Sequence, residues 1–241
     1  THSFMRIGGM AWDVPDGFAA RVNNVLPRVE EAMDEAISLV VRNRIFLDRV
    51  RGVGVISKRD AVSHGLTGPC LRSTGIDFDV RKAKPYLVYD RFEFDVPVGH
   101  DGDSYDRFGC RVEEVRQSRR IIEQALAALP GGPVNVDVPG VAMPDKEKVY
   151  TTIEGVMDHF KIIMEGIQVP KGEVYGYTEA GNGELGFYLV SDGSGTPYRV
   201  RVRPPCFANL SALSRMIDGL MVADIIPTFG SINMIAGECD R

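Results

Sequence analysis

The sequence predicts an α+β fold that is mainly helical and has a small antiparallel sheet in its C-terminal half. Two observations lead to this prediction. Long stretches before Pro170 have apolar residues at helical spacing, whereas a segment after Pro170 alternates apolar and charged residues as a strand does. A chain of 241 residues can bury a core of its own. We therefore expect residues 1–241 to form a single structural unit, with an internal linker in the Pro- and Gly-rich residues 130–144.

The first predicted helix begins at Pro27 and continues to about residue 49. Proline suits the first helical position, because its missing N–H would have no partner there. The rest of this segment contains no Gly or Pro, and Gly52 and Gly54 are expected to end the helix.

Two further helices are predicted over residues 103–129 and 146–165. Asp103 is a favourable N-cap, and Asp106 places negative charge in the first turn. The apolar face of the earlier helix comprises Phe108, Val112, Val115, Ile122, Leu126 and Leu129. The apolar face of the later helix comprises Ile153, Met157, Phe160 and Met164, and Gly166 ends it.

The predicted sheet follows Pro170. Residues 198–203 alternate apolar and arginine side chains, which is typical of a strand with one charged face. Residues 187–190 are expected to pair with this strand across the Gly-rich loop 191–195. Residues 173–178 are predicted as a third strand, and residues 211–223 as a helix.

Composition excludes several classes of protein. The net charge of −5 argues against binding nucleic acid, which favours a basic face. No apolar run approaches the ~18–20 residues that a membrane span needs, so membrane contact would require other proteins. The four cysteines form no CxxC pair, which indicates neither a zinc site nor a disulfide framework.

Short motifs follow one another in a fixed order along the chain. They include TGPCLRSTG at 67–75, DVRK at 79–82, FDVPVG at 94–99, RVEEVRQS at 111–118, GELG at 183–186 and LVSDG at 189–193. Each motif is weak alone, but the ordered set is specific. It resembles the D subunit of NADH:quinone oxidoreductase (respiratory complex I), a family related to the large subunit of nickel-iron hydrogenases. The resemblance covers roughly residues 6–241.

The last nine residues, NMIAGECDR, resemble the end of a hydrogenase large subunit that has lost its metal ligands. The hydrogenase ends on D-P-C-x-x-C, and both thiolates hold the metal. Ile235 and Glu238 stand at the two Cys positions, and Cys239 alone cannot replace the pair, because soft metals need convergent thiolates. The ending G-E-x-D-R is similar to that of the complex I protein. The resemblance thus implies no metal on this chain and argues against a hydrogenase.

The resemblance implies a hydrogenase-large-subunit-like fold and a peripheral-arm subunit of a proton-translocating NADH:quinone oxidoreductase. This chain would be the C-terminal part of a longer subunit whose quinone-headgroup residues precede it. It would form part of the quinone-reduction site and of the interface with the iron-sulfur subunit. NAD, quinone and a [4Fe-4S] cluster would belong to the whole complex, and none of them to this chain.

The implied location is the cytoplasmic side of the bacterial inner membrane, or its organelle equivalent, with membrane contact through partner subunits. The isolated chain is expected to be inactive. The alternative is a non-catalytic scaffold module derived from a hydrogenase large subunit.

Nine residues are candidates for the quinone site or for the surface that faces the cluster. They are His2, Arg6, Gly9, Arg72, Met234, Ile235, Glu238, Asp240 and Arg241. By resemblance, a His near position 2 lies close to the cluster, and an imidazole that titrates near working pH would couple proton uptake to reduction. A surface histidine without a role is the alternative for His2. Arg6 precedes two glycines that allow a turn closed to other residues, and a solvated Arg beside a structural turn is the alternative.

Arg72 lies among small residues and glycines. This pattern favours burial with a fork-shaped carboxylate pair, and an interface position is the alternative. Glu113, Glu114 and Arg116 are expected to form a charged face that is either solvated or turned toward another subunit. By resemblance, Met234 and Ile235 would form an apolar wall suited to a lipid-tailed ligand.

Four residues depart from the family pattern. Asn233 stands where the family has Asp, Cys206 where it has Gly, Asn209 where it has His, and Cys239 where it has an aliphatic residue. Each of the four residues is compatible with the fold. Together they are expected to alter the local contacts that the tail makes in the family.

Overall fold

The computed structural model describes residues 4–240. About half of the chain is helical, and a three-stranded antiparallel sheet lies in the C-terminal half, as predicted. His2 and Arg241 lie outside the described residues. No helix within residues 4–240 is both long enough and apolar enough to span a bilayer.

Two long α-helices are separated by four short ones, and two further α-helices precede the three-stranded sheet. The helices are α1 (Phe18–Val41), α2 (Arg44–Val50), α3 (Lys58–Ser63), α4 (Pro69–Arg72), α5 (Val80–Ala83), α6 (Ser104–Ala127), α7 (Lys146–Thr151), α8 (Ile153–Met164), α9 (Pro205–Ser211), α10 (Leu213–Ile217), α11 (Ile225–Ile232) and α12 (Ala236–Cys239). The strands are β1 (Met5–Arg6), β2 (Gly9–Met10), β3 (Gly172–Ala180), β4 (Gly183–Ser191) and β5 (Arg199–Arg203).

The predicted start of the first helix at Pro27 is wrong. Helix α1 begins at Phe18 and contains Pro27 in its interior, where proline removes one backbone hydrogen bond but leaves the helix continuous. The predicted helix also divides near its end. The side chain of Asn43 accepts the N–H of Ile45 at 2.9 Å and so caps a separate helix, α2.

Helix α6 matches its prediction closely. Asp103 Oδ1 accepts the N–H of Asp106 at 2.8 Å, as an N-cap should. The other oxygen of Asp103 accepts the N–H of Gly52 at 2.7 Å, so the cap also binds the turn after α2. The third predicted helix instead splits into α7 and α8 at Thr152, whose hydroxyl caps α8. The apolar side chains predicted to line α8 are all exposed.

The sheet has the order β3-β4-β5, so the strand at 183–191 lies in the centre. All three predicted strands are present. The predicted helix at 211–223 is wrong in its bounds, because the chain forms α9 from Pro205 and then the short helix α10. Pro205 begins α9, in keeping with the preference of proline for the first helical position.

The chain divides into two compact units. One comprises residues 4–18, 129–175 and 187–201, including α7 and α8. The other comprises residues 19–128, 176–186 and 202–240, and it holds a core of buried residues: Ile56, Ala61, Leu66, Cys70, Leu71, Ala212, Met216 and Ile232. The expectation of one structural unit with a linker at 130–144 stays a prediction.

Candidate functional site

Arg72 lies at the end of helix α4, and the backbone before it sets its position. Gly68 caps this helix at a φ of +66°, and an added Cβ there would lie 2.6 Å from the carbonyl oxygen of Asn182. Only glycine allows that close approach without strain. The side chain of Arg72 is 1% exposed, so the predicted burial is confirmed.

A buried ion cluster surrounds Arg72. We use this name for Arg72, Asp79, Arg81, Glu114 and Glu179. Arg72 Nη1 donates to Glu179 Oε1 at 2.9 Å and lies 3.6 Å from Asp79 Oδ2, while Nη2 binds the Glu114 carboxylate. The prediction that Arg72 pairs with a carboxylate is confirmed, but the fork shape is not, because its two terminal nitrogens bind two different carboxylates. The expectation that Glu114 is solvated is wrong, because α6 turns this residue toward Arg72 and away from its exposed neighbours on the helix.

Asp79 and Arg81 form the second pair of the cluster. Arg81 Nη2 binds Asp79 Oδ2 at 2.6 Å, and Arg81 Nε binds Asp79 Oδ1 at 3.0 Å. Burial alone would raise the pKa of Asp79, but the hydrogen bonds and charges of Arg81 and Arg72 outweigh it and hold this pKa below its usual range. Asp79 is therefore ionised at neutral pH.

Glu179 behaves differently. Burial is the largest influence on this carboxyl and raises its pKa above the usual range, although the charge of Arg72 acts in the opposite direction. Its side chain is 5% exposed, and the backbone N–H of Glu179 donates to the hydroxyl of Tyr86 at 2.9 Å.

A second polar centre lies at the C-terminal tail. We call it the tail network, and it consists of Asn182, Cys206, Asn209, Asn233 and Glu238. Asn233 ends α11 in the left-handed conformation, with a φ of +57°. Its side-chain Nδ2 donates to Asn182 Oδ1 at 2.9 Å, and Asn182 Nδ2 donates back to the carbonyl of Asn233 at 3.0 Å.

Cys206 connects this pair to the rest of the tail. Its Sγ accepts the N–H of Ile235 at 3.4 Å and Nδ2 of Asn182 at 3.4 Å, and its own N–H donates to Glu238 Oε2 at 3.0 Å. The Glu238 carboxylate thereby satisfies a free N–H at the start of α9. Burial is the largest cause that raises the pKa of the Cys206 thiol, and the hydrogen bond with Glu238 is the second. Together they bring this pKa to about 11. Cys206 is therefore a neutral hydrogen-bonding group and not an activated nucleophile.

Asn209 completes the tail network. It is fully buried, donates from Nδ2 to the carbonyl of Asn182 at 3.0 Å and accepts the N–H of Thr67 at 3.4 Å. Three of the four departures from the family pattern thus meet at Asn182. Asn182 was not among the sequence-based candidates, and its one distinguishing signal in the sequence is its place in the turn between β3 and β4.

Two arginines of α6 donate hydrogen bonds to the last residues of α11. Arg111 donates to the carbonyls of Ser231 at 2.6 Å and Ile232 at 2.9 Å. Arg107, which is fully buried, donates to the hydroxyl of Ser231 at 2.8 Å. Cations near helix C-termini satisfy the last carbonyls and interact favourably with the helix dipole. Neither residue was among the sequence-based candidates.

The predicted apolar residues of the tail have different environments. Met234 is partly buried and packs against the core, whereas Ile235 is 50% exposed. Asp240 is exposed at the surface. The tail therefore combines a hydrogen-bonded backbone with one exposed apolar side chain.

Arg6 and Gly9 lie in a short hairpin. Strand β1, which contains Arg6, pairs with β2, which begins at Gly9. An added Cβ on Gly9 would lie 2.1 Å from the carbonyl oxygen of Val134, so the glycine permits a close backbone approach. Arg6 lines a cavity of about 600 Å³ together with Trp12, Tyr150 and His159. Within residues 4–240, no group of three or more His, Cys, Asp or Glu side chains converges to hold a metal.

Comparison with known proteins identifies the family. The family model described as the respiratory-chain NADH dehydrogenase 49-kDa subunit matches residues 1–241. The chain is 64% identical over 242 residues to a D subunit of NADH-quinone oxidoreductase from Sorangium cellulosum, covering 100% of this chain and 60% of that protein. It is 56% identical over 241 residues to the D subunit from Myxococcus xanthus, covering 100% of this chain and 58% of that protein.

A third relative is a longer protein. The C/D subunit of NADH-quinone oxidoreductase from Bdellovibrio bacteriovorus is 50% identical over 241 residues, covering 100% of this chain and 43% of that protein. The chain spans about three fifths of the length of the first two relatives. On the match along its whole length, the chain belongs to the family of the 49-kDa subunit of respiratory-chain NADH dehydrogenase.

Proposed function

We propose that this chain is the hydrogenase-like part of the 49-kDa-family subunit in a proton-translocating NADH:quinone oxidoreductase. In this proposal the chain forms part of the quinone-reduction site and of the interface with the iron-sulfur subunit. The relatives named as D subunits of NADH-quinone oxidoreductase support it. NADH, quinone and the [4Fe-4S] cluster are bound elsewhere in the complex or at shared surfaces, and this chain holds no metal of its own.

The tail network is the observation that carries the quinone-site proposal. Asn182 Nδ2 donates to the backbone carbonyl of Asn233, and Cys206 Sγ accepts the backbone N–H of Ile235, so the backbone of the tail has defined partners. The side chain of Ile235 remains half exposed on that ordered backbone. An apolar side chain on an ordered segment suits the wall of a cavity for a lipid-tailed quinone.

The N-terminal hairpin supports the proposed interface with the iron-sulfur subunit. Arg6 and Gly9 lie on a tight backbone turn beside a cavity with polar and aromatic walls. We place His2, which precedes this hairpin in sequence, close to the cluster of the partner. The complex would hold this subunit peripherally on the cytoplasmic side of the inner membrane, with membrane contact through partners.

The test uses the complete subunit in its native complex. Ile235→Ala should raise the KM for quinone, because it removes up to about 2 kcal/mol of apolar contact, or up to about thirtyfold in KM. Deletion of Asp240 and Arg241 should also lower quinone reduction. Electron transfer from NADH to an artificial acceptor upstream of quinone should stay unchanged in both variants.

Val62→Ala is the matched control, because Val62 is an exposed apolar residue on α3. If both tail variants assemble and reduce quinone with normal KM, the tail is not part of the quinone site. The scaffold interpretation would then replace the proposal.

A further inference from the structure

We propose that the buried ion cluster is a proton-binding site, in which Glu179 carries the bound proton. This inference goes beyond the proposed function, because it rests only on the cluster and does not depend on where quinone binds. The reaction is a simple exchange: a carboxylate oxygen of Glu179 takes a proton from water and becomes a neutral carboxylic acid, and no other bond changes.

The charges of the cluster do not balance. Asp79, Glu114 and Glu179 contribute three carboxylates, whereas Arg72 and Arg81 contribute two guanidinium groups. The exposed fractions of the three carboxylate side chains are 0%, 17% and 5%. An uncompensated buried charge is costly, and a carboxylate usually removes the cost by taking a proton.

The way in which the two arginines are shared among the three carboxylates identifies Glu179 as the proton carrier. The guanidinium group of Arg81 donates to both carboxylate oxygens of Asp79, and Asp79 also accepts the backbone N–H of Arg81 at 2.9 Å. Arg72 is then shared between Glu114 and Glu179. The second oxygen of Glu179 has only a long contact, at 3.4 Å, with the N–H of Val80. This weakly bound oxygen is where the proton can reside.

Burial supports the same assignment, since it raises the pKa of Glu179 while the arginines lower the pKa of Asp79. The other titratable groups nearby do not supply a missing cation. Helix α6 contributes Glu114 and the thiol of Cys110, whose pKa burial raises to about 11, and the loop before α6 contributes the Tyr86 hydroxyl. Strand β4, the neighbour of β3, carries a further carboxylate at Glu184.

The cluster also has a way to exchange this proton. Glu114 is the most exposed of the three carboxylates and contacts the same guanidinium group as Glu179. Glu114 is thus the side of the cluster that solvent reaches first, and a proton enters the cluster there. Arg72 does not carry it, because guanidinium stays protonated in proteins.

Infrared spectroscopy of the complete subunit in its complex tests the proposal directly. A protonated carboxyl gives a carbonyl stretch that is separate from the carboxylate bands and shifts in heavy water. We expect such a band to weaken as the pH is raised and to be absent in Glu179→Gln. Glutamine mimics the protonated acid and keeps an oxygen for Arg72, so this variant should fold and assemble normally.

Glu173→Gln is the matched control, because Glu173 lies on the same strand β3 but is exposed. The control should keep the band. A band that persists in Glu179→Gln, or wild-type protein without any titrating carboxyl band, would overturn the proposal. So would a Glu179→Gln variant that fails to assemble, because the neutral side chain would then be a poor substitute for the native state. All of these readouts are independent of quinone reduction.

Discussion

Replacing Arg72 by Met should destabilise the protein strongly. Methionine fills most of the same space but offers no charge and no donor. Glu114 and Glu179 would lose their guanidinium partner, and the carbonyl of Phe78 would lose a donor at 3.0 Å. Asp79 would keep Arg81. The variant therefore leaves the Glu114 carboxylate without a cation and Glu179 without its guanidinium hydrogen-bond donor.

The size of the effect follows from this geometry. Removing one partner of a buried ion pair costs about 3–5 kcal/mol. That loss is a large share of the about 5–15 kcal/mol by which a typical domain is stable. In the variant, burial without the charge of Arg72 should raise the folded-state pKa of Glu179 further above the unfolded value of about 4.5. A raised folded pKa removes stability as pH rises, so the loss should be larger at neutral pH than at about pH 4.

The assay is denaturant unfolding of the complete subunit, followed at both pH values. Arg116→Met is the control, because Arg116 also contacts two carboxylates but on an exposed face of α6. Exposed pairs of this kind contribute about 0–1 kcal/mol. Equal unfolding midpoints for the two variants, or a loss for Arg72→Met that does not shrink at low pH, would refute the reasoning.

Three further outcomes are expected. Asp103→Ala should lower the free energy of unfolding by about 1–2 kcal/mol, because it removes the N-cap of α6, and amide hydrogen exchange should rise in the first turn of that helix. Gly54→Ala should be more damaging than an ordinary surface change and should reduce the yield of folded subunit, because the new methyl would lie 2.7 Å from Thr228 and 2.9 Å from Arg107 at a φ of +66°. Cys206 should resist alkylation at neutral pH in the folded subunit, since its thiol pKa is about 11; rapid labelling seen by mass spectrometry would contradict the tail network.

Local signals in the sequence predicted local structure well. Asp103 caps α6, and the period of two after Pro170 gives the strands, because both depend on residues that are close in sequence. Burial of Arg72 was also predictable, since glycines and small residues surround it in sequence. Its partner Glu114 was not, because the charged run in α6 gives no sign of which carboxylate faces the core.

The bounds of the other long helices were predicted less well. Pro27 is a favourable helix start, but the helix continues through it, and Asn43 and Thr152 interrupt segments that were each predicted as one helix. A single polar side chain that caps a new helix outweighs a favourable apolar pattern at those points. The apolar pattern of α8 was present, yet its face is exposed, because periodicity reports which side is apolar and not what covers it.

The tail shows why single departures from a family pattern are hard to interpret one at a time. Cys206, Asn209 and Asn233 are far apart in sequence from Asn182, yet each bonds to it. Residues that share a neighbour in one hydrogen-bond network do not contribute independently to stability. A thiol at 206 is useful as an acceptor only because a backbone N–H and an amide both reach it. The three residues are therefore best understood as one matched set, which fixes the backbone that presents Ile235.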